Sequence, residues 1–216
     1  MGYKTDENTP SSSLSQVLAN SITHGIGAGL SIAGIVILII RAVKRGTGWH
    51  LAGFLVFGIS LLVLYLTSTV YHSFINHPIK AFLQRLDHSA ILILIAGTYT
   101  PFLLTQLRNG FGWSFFGILW GITILVLVLK LAFKSRFEKP PVLLYLLLGW
   151  LGAVIFYNTF HKLGTLSIWF LLIGGLFYSS GIIFYRWKKL PFNHAIWHVF
   201  VILGSAFHYF SILYLA

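Results

Sequence analysis

The sequence predicts an all-α integral membrane protein: a seven-transmembrane helix bundle with its N-terminus inside and its C-terminus outside. Three observations carry that reading. Of the 216 residues, 57% are hydrophobic and only 9% charged, whereas soluble domains carry about 25% charged residues. Apolar runs recur from residue 17 to the C-terminus, seven of them close to the roughly 20 residues that a helix needs to cross the hydrocarbon core. The separators between them are short and rich in turn residues, which leaves no room for an extramembrane domain.

The elements follow in order. Residues 1–16, rich in Ser, Thr and Asn, are expected to form a disordered tail, and residues 17–216 the transmembrane domain. The first span, 17–41, is followed by no A-x-A-like cleavage site and is expected to be retained in the membrane. Gly25, Gly29 and Ala33 form a small-xxx-small stripe on it, the pattern of close helix packing. "KRGTG" then leads to span 49–74, "NHPIK" to 81–105, "RNGFG" to 113–133 and "KSRFEKPP" to 141–160. "HKLG" leads to 165–187 and "KKLP" to 193–215. Trp49, Trp113, Trp187 and Tyr214 fall at span ends, where aromatic side chains anchor at the membrane interface.

Orientation comes from the Lys and Arg count of alternate loops. The N-terminal side holds Lys4, Lys80, Arg85, Lys130, Lys134, Arg136, Lys139, Arg186, Lys188 and Lys189, and the other side Arg41, Lys44, Arg45, Arg108 and Lys162, ten against five. The three basic residues of the first loop run against the trend. The formal net charge of +11 is spread over these loops and forms no basic face on a soluble domain, so membrane topology explains it and nucleic-acid binding does not. The chain has no cysteine, which excludes disulfides and thiolate metal ligands.

Ionisable groups inside a bilayer cost about 2.5–3.5 kcal/mol each on insertion scales and point to function. His72 and Ser68 lie in the last turns of the second span, Asp87 in the first turns of the third, and His194 and His198 in the first turns of the seventh, all at one membrane depth on the cytoplasmic side. Residues four apart on a helix share a face, so His194 and His198 can reach one metal ion. The stretch H-A-I-W-H lacks the glutamate of H-E-x-x-H helices. A third imidazole is available from "STVYH", Ser68 to His72. Three imidazoles leave a fourth coordination position for water, the arrangement of catalytic rather than structural zinc. Asp87 would then hold or deprotonate that water, with Ser68 hydrogen-bonding the aspartate or a substrate carbonyl. Other readings compete. The same residues suit a proton relay, copper also favours three imidazoles, and Asp87 could pair with Arg85 or His88 at the interface. His24, His88 and His208, each taken alone, read as packing residues. His50, His161 and His208 fall toward the outer side, and His77 lies in a loop.

Taken together, "NSITHGIGAGLS", "STVYHSF", "LDHSAILILIAGTYTPF" and "HAIWHVFV", in that order along nearly the whole chain, resemble the hemolysin III family of bacterial membrane proteins, relatives of the progestin and adipoQ receptors. The resemblance implies a seven-helix bundle inverted relative to G-protein-coupled receptors, in the bacterial plasma membrane, with Zn²⁺ near the cytoplasmic face. It implies His72, His194 and His198 as ligands, and Ser68 and Asp87 around a metal-bound water. Members commonly carry acidic residues just before the first span's N-x-x-T-H stretch, where this chain has Gln16 and Val17. The wider group resembles alkaline ceramidases and other membrane hydrolases, and the bacterial branch is linked to haemolysis and to membrane-lipid and membrane-energetics homeostasis.

Two function classes result. One is a zinc-dependent hydrolase of a lipid-borne amide or ester, with Asp87 as general base and Ser68 as orienting group. The other is a non-enzymatic sensor or regulator of membrane state with structural zinc. A cytolytic pore is disfavoured, because the apolar spans offer no polar stripe to line a channel. Oligomeric state and substrate are not legible. A reporter fused at Ala216 is expected to be active only outside the cytoplasm, and cytoplasmic activity would overturn the predicted orientation.

Overall fold

The computed structural model describes residues 13–75, 77–132, 142–157 and 162–216. Among them are seven α-helices: α1 (Leu14–Arg45), α2 (Gly48–Ser73), α3 (Lys80–Leu104), α4 (Gly110–Ala132), α5 (Val142–Tyr157), α6 (Thr165–Arg186) and α7 (Asn193–Leu213). Six are long and apolar enough to cross a membrane, and α5, with 16 described residues, is a shorter apolar helix. The predicted spans fall on these helices within a few residues. The largest difference is at α1, which begins at Leu14 because the Ser13 hydroxyl accepts the Gln16 N–H at 3.3 Å and caps it. Helix thus takes the last three residues of the expected tail, and residues 1–12 lie outside the described part of the chain.

Large apolar side chains cover the outside: Ile22, Ile26, Leu30, Val43, Leu147 and Ile183 are all more than half exposed. Polar groups such as Ser31, Ser60, Thr100, Ser205 and Ser211 are buried instead. Several of their hydroxyls donate to the carbonyl one turn back, as Ser31 does to Gly27 and Thr100 to Ala96, both at 2.8 Å, which satisfies them without another helix. An apolar exterior around polar contacts is the inverse of a soluble fold.

Helices α1, α2 and α3 pack side by side, α7 packs on α1 and α6 and touches α3, and α4 and α5 lie against α3. Close approach depends on particular glycines. A Cβ on Gly27 would meet the Tyr65 ring at 2.7 Å, and one on Gly53 would meet the Pro101 Cα at 2.8 Å, where backbone faces backbone. The stripe read from the sequence is not the packed one. A Cβ on Gly29 would meet nothing within 4 Å, one on Gly25 would make an ordinary contact with Thr69, and Ala33 is exposed. The buried face of α1 runs instead through Asn20, His24, Gly27, Ala28 and Ser31. On a helix apolar all round, small residues fit either face, and the polar residues decide which turns inward.

The interface anchors sit as expected: Trp49, Trp113, Trp187 and Tyr214 are each at least 41% exposed at helix ends. Trp49 also meets Trp113 edge to face, at 5.8 Å between centroids, and carries the Arg108 guanidinium over its ring at 5.0 Å. Gly53→Ala is expected to lower stability by about 1–3 kcal/mol, the cost of overpacking a tight helix contact. Gly29→Ala should cost nothing measurable, and reversible unfolding in detergent of the two variants side by side checks both.

Candidate metal centre

The start of α7 is fixed before its first histidine is placed. Phe192 takes the left-handed conformation at φ 55, ψ 20, the one non-glycine residue with positive φ among the described residues. A bulky side chain seldom adopts it. The Asn193 side chain opposes that cost by donating to the carbonyls of Phe184 and Tyr185, at 3.3 and 3.1 Å, which ties the start of α7 to the end of α6. His194 then follows in the first turn, and His198 lies one turn on, with ring centroids 4.6 Å apart.

His72 reaches them from the last turn of α2. Its Nε2 is 3.1 Å from His194 Nε2, and its ring centroid is 5.1 Å from that of His198. One ligand nitrogen from each of the three histidines falls within 4.8 Å of the others. An ion with metal–nitrogen bonds of about 2.0–2.1 Å and tetrahedral angles needs them about 3.3–3.4 Å apart. Small side-chain rotations close that difference.

The proton on His198 can be assigned from its partners. Its Nδ1 lies 3.2 Å from the Asn20 carbonyl and 3.1 Å from the Thr23 hydroxyl. That hydroxyl already donates to the carbonyls of Ala19 and Asn20, at 2.8 and 3.0 Å, so toward His198 it can only accept. Nδ1 therefore carries the hydrogen, and Nε2 presents a bare lone pair. That Nε2 is buried and has no hydrogen-bond partner. A ligating histidine whose other nitrogen donates to a carbonyl is the usual outer-shell arrangement of metal sites. The donor set thus fits a metal ion on the chemistry of this chain alone.

The remaining predicted residues are at the same end. Ser68, 1% exposed, lies one turn deeper than His72 on α2, and Asp87, 6% exposed, lies in the second turn of α3. The Ser68 hydroxyl is buried and makes no hydrogen bond. Arg85 is not the partner of Asp87: its guanidinium stands over the Phe82 ring at 5.9 Å. Lys130 is the cation whose charge acts on Asp87. Counted from the sequence as a loop charge, Lys130 is in fact 1% exposed, with an Nζ that has no hydrogen-bond partner. Its removal from the loop tally leaves the majority of basic residues on the same side.

His24 is the residue of the histidine cluster that the sequence reading undervalued. It is 2% exposed and stacks on His198 at 3.5 Å between centroids and 16° between planes. Both of its ring nitrogens lack a partner. The signal available was its place next to Thr23 in "NSITHG", at the depth of the other histidines. The distant histidines behave as expected. His208 binds the Leu171 carbonyl at 3.1 Å, His77 accepts the Ile79 N–H in the α2–α3 loop, and His50 ties the α2 start to the Leu215 carbonyl at 2.9 Å. His161 lies outside the described residues.

A cavity of about 470 Å³ opens from the cluster into the bundle. His24, Asp87 and His194 line one end, and walls such as Ile95, Phe102 and Leu171 are apolar. Along α3 the lining runs from Asp87 to Phe102, fifteen residues or about 22 Å of helix.

Comparison with known proteins bears on the same residues. The family model described as Haemolysin-III related matches residues 13–209. The chain is 49% identical to the Hemolysin-3 of Bacillus cereus over 91% of this chain and 90% of that protein. It is 44% identical to the Hemolysin-3 homolog of Bacillus subtilis (strain 168) over 93% and 94%. At 29% identity it also matches the human monocyte to macrophage differentiation factor, over 73% of this chain and 67% of that one. With the family model spanning α1 to α7 and two relatives matched over nine-tenths of their length, this chain belongs to the Haemolysin-III related family and is a multi-pass protein of the cell membrane.

Proposed function

We propose that the protein is a zinc-dependent membrane hydrolase acting on a lipid-borne amide or ester, with a role in membrane-lipid homeostasis. The single observation that carries the reading is the convergence of three imidazole nitrogens, one of them from His194, which lines the same apolar cavity as the buried Asp87 carboxylate. In this reading His72, His194 and His198 hold the ion, which when bound acidifies a water and polarises a carbonyl. Asp87 takes the proton from the attacking water at a carboxylate oxygen and returns it to the leaving amine or alcohol. Ser68, with its hydroxyl uncommitted, orients the carboxylate or the carbonyl oxygen. His198 keeps its tautomer through Asn20 and Thr23, so its Nε2 is available as a donor. The apolar cavity takes the acyl chain and excludes bulk water from the carboxylate end. The N-terminus faces the cytoplasm, on the strength of the basic-residue count, which puts the histidine cluster near the inner leaflet.

The competing reading, a regulator with structural metal, separates from this one at two residues. Purified protein is expected to hold about one zinc per chain, and His198→Ala to lose it, with Thr23→Val weakening zinc affinity about 10–100-fold as outer-shell substitutions do. Elemental analysis and competitive chelation measure both. Asp87→Asn is expected to keep its zinc and its unfolding temperature while losing about 10²–10⁴-fold in turnover of a lipid amide or ester. Normal zinc content with no turnover by the wild-type protein on a broad lipid panel, and no change in cellular lipids with Asp87→Asn, would sink the hydrolase reading.

A further inference from the structure

The end of the bundle away from the histidines carries a second recess, of about 450 Å³, between the last turns of α1 and α7. Arg41, Lys44 and Arg45 form its charged side, and Ile37, Ile40, Leu213 and Tyr214 the rest. The three cations are spaced at i, i+3 and i+4, so they share one face of α1. Lys44 and Arg45 sit in the last turn, where a helix C-terminus favours positive charge. Arg41 lies a turn earlier, and its Nε is buried with no hydrogen-bond partner. A buried donor at the edge of a bilayer requires an acceptor.

No acidic side chain among the described residues supplies it. The four acidic residues are Asp6, Glu7, Asp87 and Glu138. Asp87 is at the histidine end. Asp6, Glu7 and Glu138 lie outside the described residues, and Leu14, at the start of α1, is at the histidine end. Arg41 is 27 residues along α1 from Leu14, about 40 Å away. The same residues are the exception to the basic-residue asymmetry, a basic cluster on the side that carries fewer of them.

We infer that this recess binds the phosphate of an anionic phospholipid, with Arg41, Lys44 and Arg45 around the headgroup and Ile37, Ile40 and Leu213 against the first part of an acyl chain. Planar, forked guanidinium donors suit phosphate oxygens, and basic recesses between transmembrane helices are an established way of holding anionic lipids. The apolar wall beside the cations selects a lipid over a free anion. The site lies at the other end of the bundle from the histidines and is independent of any catalysis there.

The test uses the full chain in neutral detergent, reading the unfolding temperature on addition of phosphatidylglycerol, of phosphatidylcholine with the same acyl chains, or of inorganic phosphate. Phosphatidylglycerol is expected to raise it by about 5 °C near saturation, and the other two to leave it unchanged. The triple variant R41Q/K44Q/R45Q should lose that shift while unfolding at the wild-type temperature in phosphatidylcholine. If the triple variant folds poorly, Lys44→Gln alone, at an exposed position, should reduce the shift. Arg108→Gln, at the same end but outside the recess, should retain it. An equal shift from phosphatidylcholine, a full shift from inorganic phosphate, or an undiminished shift in Lys44→Gln and the triple variant would each overturn the assignment.

Discussion

The hydrogen bond from His198 Nδ1 to the Asn20 carbonyl is the constraint on which the histidine end of this bundle depends. A neutral imidazole has one N–H, and in a medium without water that N–H must find an acceptor. Here the acceptors are on α1, and Thr23 can only accept because its own hydrogen is committed to its helix. Three elements are thereby set against one another: α7, which carries the ring; α1, which takes its hydrogen; and α2, whose His72 faces the lone pair left over. Stacking of His24 on the same ring adds a second contact between α1 and α7, and the edge of Tyr65 against His24, at 5.1 Å between centroids, extends the contact to α2.

The same constraint explains why the fold was largely legible from sequence. A bilayer leaves a helix few choices, so length and apolarity placed all seven helices to within a few residues. The shared depth of His72, Asp87, His194 and His198 followed from their distances to span ends. What could not be read was rotation about the helix axis. Gly25, Gly29 and Ala33 and the true face through His24, Gly27 and Ser31 lie on one apolar helix and differ only in which neighbours they meet. Rotation is settled by polar partners on other helices, such as Asn20 with His198 or Tyr65 with Ser205, whose hydroxyls are 2.7 Å apart. Those pairings are separated by 178 and 140 residues, and no local pattern reports them.

Lys130 shows the same limit from the side of charge. Near the end of an apolar run, a lysine reads as a loop residue that assists topology. Only the packing of α4 against α3 shows it to be buried. A buried ammonium is as costly in a bilayer as a buried carboxylate, and nothing in the local sequence pattern reports that it is buried.

The two ends of the bundle therefore solve one problem in opposite ways. At the histidine end, the buried groups without a hydrogen-bond partner include His198 Nε2, Ser68 Oγ, both nitrogens of the His24 ring, Arg85 Nε and Lys130 Nζ, and His24 lines the cavity together with Asp87 and His194. At the other end the cations of α1 meet no acidic side chain among the described residues, and the Arg41 Nε is buried without a hydrogen-bond partner. Unsatisfied groups in a membrane protein are rare because each is costly. Where they cluster, they mark candidate ligand sites, and in this chain the two clusters stand at opposite ends of the same helix, α1.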